Sequence, residues 1–259
     1  MKNNPSPPQT YFVGSGKGGV GKSTVTVNLA VALAGQGLKV GILDADVYGP
    51  SIPIMMGLRR LSPRVQEDGD GREQVIPFTK FGIQVISLGF FIEEARSVVW
   101  RGPMLHSTLQ KMLQDAAWGE LDFLLIDLPP GTGDVPLSLS QLLPIQGALI
   151  VTTPQEVAML DAIKAINAFS QLNIPLIGII ENMAGFTPSG SQTTYPIFGE
   201  GKGAELAKRF ETTLLHSIPL IPEIRRGGDE GYPSAAHLGD EQCGRHFHQL
   251  AESFLNQCK

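Results

Sequence analysis

A glycine-rich run at residues 14–24 constrains this chain more than any other stretch. It lies between an apolar segment, residues 11–13, and a long pattern typical of a helix. From Gly16 the spacing is G-x-x-x-x-G-K-S, and glycines allow backbone N–H groups to turn inward around bound phosphates. We expect the helix to begin near Lys22 and to direct the positive end of its dipole at the same phosphates. The run therefore predicts a phosphate-binding loop, with a plain glycine-rich turn as the alternative.

The residue types in this loop indicate its chemistry. The ammonium of Lys22 can reach the β- and γ-phosphates of a nucleotide, and the hydroxyl of Ser23 can ligate Mg²⁺. We therefore expect ATP and Mg²⁺ as cofactors. The predicted nucleotide-binding residues of the loop are Gly16, Lys17, Gly18, Gly19, Val20, Gly21, Lys22, Ser23 and Thr24.

Length and composition restrict the fold and the partners. The 259 residues, 42% of them hydrophobic, suit one large α/β domain over 10–259, preceded by a disordered, proline-rich lead-in at 1–9. A net charge of −5 without a basic block argues against a nucleic-acid surface. The sequence contains no apolar stretch long enough to span a bilayer, so we expect no membrane anchor. Two cysteines are too few for a disulfide framework, which fits a cytoplasmic protein.

Carboxylates follow two apolar segments that are typical of buried strands. Asp44 and Asp46 come after residues 38–43, and Asp127 ends the run 123–127. The carboxyl ends of parallel strands meet where ligands bind in open α/β sheets. We expect Asp127 to hold Mg²⁺ as a Walker B aspartate, Asp46 to orient a hydrolytic water, and Asp44 to support Mg²⁺ or the loop. The alternatives are two turn-forming aspartates after the first segment and a structural one after the second.

Alternating strand and helix patterns continue along the chain and predict a doubly wound, mainly parallel sheet. The strand predicted at 176–181 is closed by Asn182, whose amide offers the donor and acceptor that an adenine edge needs. Residues 58–72 are charged and glycine-rich and are predicted to be the least ordered internal stretch. Phe90 and Phe91 follow a strand; we expect them to be buried, and an interface is the alternative.

A last helix is predicted from about Asp240 to the end of the chain. Its apolar residues fall on one stripe: Phe247, Leu250, Ala251, Phe254 and Leu255. A helix that lies on a membrane surface carries a basic opposite face, whereas the neighbours here are glutamine, asparagine and Glu252. We therefore expect this helix to pack on its own domain.

With Lys17 directly after its first glycine, the loop resembles the deviant Walker A motif of the MinD/ParA/Mrp ATPases. Further blocks resemble the Mrp/ApbC ATPases: residues 44–51, 101–104, 127–134, 181–183 and 197–199. The resemblance implies a slow, Mg²⁺-dependent ATPase that works as a homodimer and carries or assembles iron–sulfur clusters. It also implies that Lys17 reaches across the dimer interface to the partner's nucleotide. The predicted catalytic residues are thus Lys17, Lys22 and Asp46; a solvated lysine on a mobile loop is the alternative for Lys17.

One block departs from the family pattern. In the family a Cys-x-x-Cys pair follows the Glu-Asn-Met block, so that two subunits supply four thiolates to one bridging cluster. Here the ligand positions fall near Pro188 and Ser191, and neither side chain can replace a soft thiolate. No iron–sulfur ligand is therefore predicted at the family position.

The two cysteines of the chain do not restore that site. On one continuous helix Cys243 and Cys258 would lie about 22 Å apart, too far to share a small cluster. Cys243, His246 and His248 offer a weak metal site, with a satisfied surface or core role as the alternative.

Two hypotheses for the biological role follow. The first is an iron–sulfur cluster carrier or assembly factor with client proteins. The second is an ATP-switched regulator or adaptor that binds no cluster; a MinD-like membrane role ranks third, because the last helix lacks a basic face.

Overall fold

The computed structural model of the protein describes residues 7–67, 69, 71–91, 102–236 and 241–258. In this part of the chain strands and helices alternate. The strands are β1 Gln9–Gly14, β2 Val40–Asp44, β3 Val65–Glu67, β4 Glu73–Val75, β5 Phe78–Lys80, β6 Ile83–Ser87, β7 Phe123–Asp127, β8 Gly147–Thr152, β9 Leu176–Asn182 and β10 Leu214–Ile218. The helices are α1 Lys22–Ala34, α2 Ile52–Met55, α3 Gly102–Gln114, α4 Asp134–Leu142, α5 Glu156–Gln171, α6 Lys202–Arg209, α7 Pro222–Glu230 and α8 Glu241–Gln257.

The main sheet has the order β10-β9-β8-β1-β7-β2-β6-β5 within the described residues. Its neighbouring strands run parallel except β5, which pairs antiparallel with β6. The central strands are continuous apolar runs because helices cover both faces of the sheet. The chain moves to the other side of β1 after β7, and a ligand crevice is expected at such a reversal. The predicted doubly wound, mainly parallel fold is confirmed.

Two hydrophobic layers lie on opposite faces of the sheet, and strand periodicity explains the division. In β1, Tyr11 and Val13 face the layer that contains α1 and α8, whereas Phe12 faces the layer of α3, α4 and α5. The α8 residues Phe247 and Phe254 are fully buried in the first layer. Phe254 meets Tyr11 edge to face, with the ring centroids 5.0 Å apart. The expectation that this helix packs on its own domain is confirmed.

Several parts of the described chain differ from the sequence prediction. Residues 58–72, predicted to be the least ordered stretch, include β3, which pairs with β4 in an exposed hairpin. β4 and β5 are separate strands, because Pro77 between them has no N–H to donate to a ladder. The helices α4 and α7 were not predicted; Gly227 interrupts the helical pattern of α7, yet a Cβ there would lie 2.6 Å from the Tyr232 carbonyl oxygen.

Smaller corrections concern single residues. Gln9 belongs to β1 rather than to a disordered lead-in, and residues 1–6 of that prediction lie outside the described residues. Phe90 is buried as expected, whereas Phe91 is 51% exposed. Arg101, part of one block of the family resemblance, also lies outside the described residues. In the described part of the chain, every helix is too short or too polar to cross a bilayer.

Candidate nucleotide-binding site

The glycine-rich loop lines a cavity of about 260 Å³ between β1 and α1. Asp46, Gly49 and Ser51 after β2 form the opposite wall, together with Met55 and Pro130. The predicted residues that line the cavity are Lys17, Gly18, Gly19, Val20, Gly21, Lys22, Ser23, Thr24 and Asp46. The cavity therefore lies at the carboxyl ends of β1, β2 and β7, where the sequence placed it.

Gly16 and Gly21 hold the loop against the rest of the domain. An added Cβ at Gly16 would overlap the backbone of Asp161 in α5, so only glycine fits at this contact. Gly21 has φ 83° at the start of α1, and a Cβ there would overlap the amide nitrogen of Asn182. That same amide nitrogen donates to the carbonyl oxygen of Val20 at 2.8 Å. Asn182 thus supports the loop from the end of β9.

Gly21→Ala is expected to weaken ATP binding about tenfold or more. The strain of alanine in a left-handed backbone and the displacement of the loop together cost more than about 1.4 kcal/mol of binding free energy. The overlap with Asn182 provides the displacement. Titration of the protein with a fluorescent ATP analogue measures the change. Gly228→Ala is the matched control, since a Cβ at Gly228 would meet only the Met55 Cγ at an ordinary 3.9 Å. Equal affinities of the parent and Gly21→Ala would contradict the steric argument.

A buried polar network lies beneath the loop and is centred on Asp127. Lys22 Nζ lies 2.7 Å from Asp127 Oδ2, and the Ser23 hydroxyl donates to the same oxygen at 2.6 Å. The Thr26 hydroxyl donates to the other carboxylate oxygen at 2.6 Å. Asp127 is fully buried and Lys22 is 6% exposed, so little water screens this ion pair. The predicted Lys22, Ser23 and Asp127 are therefore together, and Thr26 is a further member.

Asp44 contacts the loop after β2 rather than the cavity. Its carboxyl accepts from the Ser87 hydroxyl at 2.8 Å and from the backbone N–H groups of Ile52 and Asp46. Burial and the nearby charge of Asp127 raise the pKa of Asp44 to about 8. Of the two roles expected for Asp44, the contacts therefore favour support of the loop.

The carboxylate of Asp46 lies at the edge of the cavity. Its Oδ1 accepts from the backbone N–H groups of Tyr48 and Gly49 at 3.3 and 3.2 Å. Its Oδ2 lies 3.7 Å from Lys22 Nζ. The loop after β2 thus fixes a negative charge opposite the lysine that is predicted to bind phosphate.

A model of the family described as ParA: NUBPL iron-transfer P-loop NTPase matches residues 8–255. The chain belongs to this family. The iron-sulfur cluster carrier protein of Aquifex aeolicus is 46% identical over 97% of this chain and 68% of its own length. The carrier proteins of Deinococcus radiodurans and Escherichia coli are 48% and 44% identical over 89% and 95% of this chain, and 64% and 65% of their own lengths. The chain thus spans about two thirds of the length of these curated relatives.

Solved structures agree with this assignment. The nucleotide-binding protein of Archaeoglobus fulgidus in complex with ADP superposes with a TM-score of 0.74, 41% identity and 86% coverage of both chains. The cell division ATPase MinD of Pyrococcus furiosus gives a TM-score of 0.69 at 25% identity, covering 96% of this chain and 99% of its own. The predicted resemblance to the MinD/ParA-like ATPases and to the iron–sulfur carriers is confirmed.

Within this NUBPL-type NTPase, Lys17 lies at the rim of the cavity, and its side chain reaches the start of α5. Its Nζ donates to the side-chain oxygen of Gln155 at 3.0 Å, and Gln155 immediately precedes α5. The Lys17 side chain is partly exposed. In the single chain it is therefore held beside its own loop by a neutral hydrogen-bond acceptor.

The segment after Asn182, where the family resemblance implies a Cys-x-x-Cys pair, is rich in hydroxyl groups in this NTPase. Phe186 and Tyr195 pair antiparallel at its base, and the hydroxyls of Thr187 and Thr194 lie 2.8 Å apart. The hydroxyl of Ser191, at a family ligand position, accepts from the backbone N–H of Thr193 at 3.0 Å. The hydrogen bond of the Ser191 hydroxyl is therefore internal to the loop.

The cysteine and histidine residues that the structure describes outside this segment do not form a cluster site. Cys243 is buried in the core, and burial raises the pKa of the Cys258 thiol beside Tyr11. His246 pairs with His216 rather than with Cys243 and His248 as a metal group. Among the described residues, His, Cys, Asp and Glu form no group of three or more that could hold a metal ion. Cys243 therefore has the core role that was given as the alternative to a metal site.

Proposed function

We propose that this chain is a slow, Mg²⁺-dependent ATPase that dimerises on ATP and serves the carriage or assembly of iron–sulfur clusters. The observation that carries the proposal is the convergence of Lys22, Ser23 and Asp127 beneath the cavity, with distances of 2.6 and 2.7 Å. When phosphates enter, Lys22 exchanges Asp127 for the β- and γ-phosphates. The carboxylate and the Ser23 hydroxyl are hard oxygen donors that suit Mg²⁺, which would neutralise developing phosphate charge.

The remaining site residues have separate roles in the proposal. Asp46 orients the attacking water, since its carboxylate is fixed at the edge of the cavity. Asn182 uses one amide N–H to hold Val20, and the proposal gives its oxygen and second N–H to the adenine edge. Lys17 leaves Gln155 and stabilises charge on the nucleotide of the partner subunit.

The exposure of the loop, the net charge and the packing of α8 support proposals for the partners and the location of the protein. A homodimer with each nucleotide at the interface fits the exposed position of the loop at Gly18 and Gly19. We propose a cytoplasmic protein that uses neither nucleic acid nor a membrane surface, because the net charge is −5 and the apolar stripe of α8 is buried in the core.

Removal of Mg²⁺ is expected to abolish ATP hydrolysis. Asp127 and Ser23 are the residues that would hold the ion, and without it the developing charge on the phosphates would not be neutralised. Steady-state release of inorganic phosphate, measured with excess EDTA and again after Mg²⁺ is restored, tests this expectation. Hydrolysis that continues at the parental rate in EDTA would contradict the proposed site.

The residues at the family ligand positions do not fit the iron–sulfur cluster that a carrier would bind. Proline and a serine hydroxyl at the family ligand positions cannot hold iron as thiolates do. This observation favours a second candidate function, an ATP-switched adaptor that binds no cluster. Anaerobic incubation with iron and sulfide separates the two. A stable brown dimer supports the carrier, and a colourless protein that still dimerises with ATP supports the adaptor.

The double substitution Pro188→Cys/Ser191→Cys is expected to give the chain a cluster. Two thiolates per subunit, on a loop whose base is fixed by the Phe186–Tyr195 pair, supply four soft ligands in a dimer. Iron and sulfide content after anaerobic reconstitution measures the gain. Thr187→Cys/Thr194→Cys is a matched control with the thiols at other positions of the same loop. Equal iron content in the parent and the first variant would show that this loop does not govern cluster binding.

A further inference from the structure

Two histidines face each other at an edge of the main sheet. His216 lies on the edge strand β10, and His246 lies on α8, which packs against it. The Nε2 atom of His216 is 3.0 Å from the Nδ1 atom of His246, and the ring centroids are 5.3 Å apart. One nitrogen must donate and the other accept, so the two rings share a single hydrogen at this contact.

We propose that His216 and His246 form a binding site for a borderline divalent transition-metal ion such as Ni²⁺, Cu²⁺ or Zn²⁺. Imidazole nitrogens bind such ions at about 2.0–2.1 Å, which places two ligands on one ion about 2.9 Å apart at a right angle and about 3.4 Å apart at a tetrahedral angle. The observed separation of 3.0 Å lies within this range. An ion bound by both nitrogens would lie to one side of the line that joins them, so the two rings must turn, but β10 and α8 need to move little.

The protonation of the pair favours metal binding. A metal ligand must be deprotonated, and protons compete with the ion for the nitrogen. Burial and the facing His246 lower the pKa of His216 to about 4, and burial with the charge of Arg245 lowers the pKa of His246. Both shifts reduce the competition from protons near neutral pH. The positive Arg245 opposes the added charge of the ion, so the site suits ions with strong affinity for nitrogen.

The site is separate from the nucleotide cavity. In the sheet β9 and β8 lie between β10 and β1, which leads into the phosphate-binding loop. The donor sets also differ, because the P-loop offers hard oxygens to Mg²⁺ and the histidine pair offers imidazole nitrogens. A bound ion would link α8 to the edge strand β10. Because the ion would bind the folded chain, it would shift the folding equilibrium towards the folded state. This inference is independent of the proposed ATPase activity.

Titration calorimetry with Ni²⁺, in the presence of excess Mg²⁺ and without nucleotide, tests the site on the full chain. Mg²⁺ prefers oxygen ligands and is not expected to compete. We expect one Ni²⁺ per chain, with affinity reduced about tenfold or more in His216→Asn and in His246→Asn. His248→Asn, on the same helix but outside the pair, is the matched control and should bind as the parent does. Absence of Ni²⁺ binding by the parent, or equal binding by all variants, would overturn the proposal.

A second measurement needs no variants and so does not depend on their folding. Diethyl pyrocarbonate modifies neutral histidine nitrogens, and peptide mass spectrometry reports each position separately. Ni²⁺ is expected to protect His216 and His246 of the parent protein and to leave His248 as reactive as before. Equal reactivity of all three with and without Ni²⁺ would show that the pair does not bind the ion.

Discussion

Replacing Lys22 with alanine is expected to lower kcat/KM for ATP hydrolysis by about 10³-fold or more, since loss of one preorganised charge alone costs about 10²–10³ in kcat and ATP binding weakens as well. The ammonium lies 2.7 Å from Asp127 and 3.7 Å from Asp46, at the base of the cavity. No other side chain of the loop supplies a positive charge at that depth, because Lys17 is held at the rim by Gln155. Phosphate release and ATP-analogue binding measure the two components.

The same substitution is expected to destabilise the nucleotide-free protein. Asp127 is fully buried, and among the described residues loss of Lys22 leaves its carboxylate with the side-chain hydroxyls of Ser23 and Thr26 alone. Removal of one partner of a buried ion pair costs about 3–5 kcal/mol, and the two hydroxyls place the expected loss near the lower end. Urea denaturation measures the free energy of unfolding.

Lys39→Ala is the control for Lys22→Ala. Lys39 pairs with Glu120 at 2.6 Å, but both side chains are more than half exposed and lie near the amino ends of the strands. Neither hydrolysis nor stability is expected to change, because exposed ion pairs contribute little. A Lys22→Ala protein as stable as the parent would show that the Lys22–Asp127 pair does not support the fold.

The residues around Asp127 show what the sequence can predict about this site. The P-loop is contiguous, so its spacing alone identifies Lys22 and Ser23. Asp46 and Asp127 come directly after apolar strands, and parallel strands bring their carboxyl ends to one edge. These predictions depend only on local order and on a general rule of α/β sheets, and the structure brings the residues together as expected.

The supporting residues could not be predicted in the same way. Thr26 meets Asp127 across 101 residues, and Ser87 meets Asp44 across 43. Serine and threonine are common in any sequence, and only the strand order decides which of them reaches a buried carboxylate. One signal existed for Thr26, since it lies four residues after Lys22 and therefore on the same face of α1.

Lys17 shows a second limit of sequence patterns. The loop motif includes a lysine at this position, and the family resemblance implies that this lysine reaches the nucleotide of the partner subunit. Neither indicates where the side chain lies in a single chain. The hydrogen bond to Gln155 depends on the contact between Gly16 and α5, which joins positions far apart in sequence. The resting position of Lys17 therefore follows from the packing of α5 against the loop.

Mixing two inactive variants is expected to restore ATP hydrolysis if Lys17 acts on the partner's nucleotide. Lys17→Ala should bind ATP but lose hydrolysis by about 10²-fold or more, as expected for the loss of a charge that stabilises the transition state. Asp46→Asn should also be inactive, because its own site cannot orient water, yet it retains Lys17. In a heterodimer of the two, the Lys17→Ala subunit keeps Asp46 and receives Lys17 from its partner.

The expected recovery follows from the symmetry of a dimer. When the two variants are mixed in equal amounts as nucleotide-free monomers and ATP is then added, half of the dimers that form are heterodimers. Each heterodimer has one complete site of two, so about a quarter of the parental rate should return. Steady-state phosphate release against the mixing ratio measures it. If Lys17 instead acts within its own chain, every site in the mixture lacks either Lys17 or Asp46 and the rate stays at that of the single variants.

A third variant decides whether any recovery comes from the lysine itself. The double substitution Lys17→Ala/Asp46→Asn still binds ATP through Lys22 and can still pair with the Lys17→Ala subunit. Their mixture contains intact Asp46 but no Lys17, so it should remain inactive although dimers form. Recovery in this mixture would mean that dimerisation alone, and not the partner's lysine, completes the site. Lys17 would then only donate a hydrogen bond to Gln155 at the rim of the cavity.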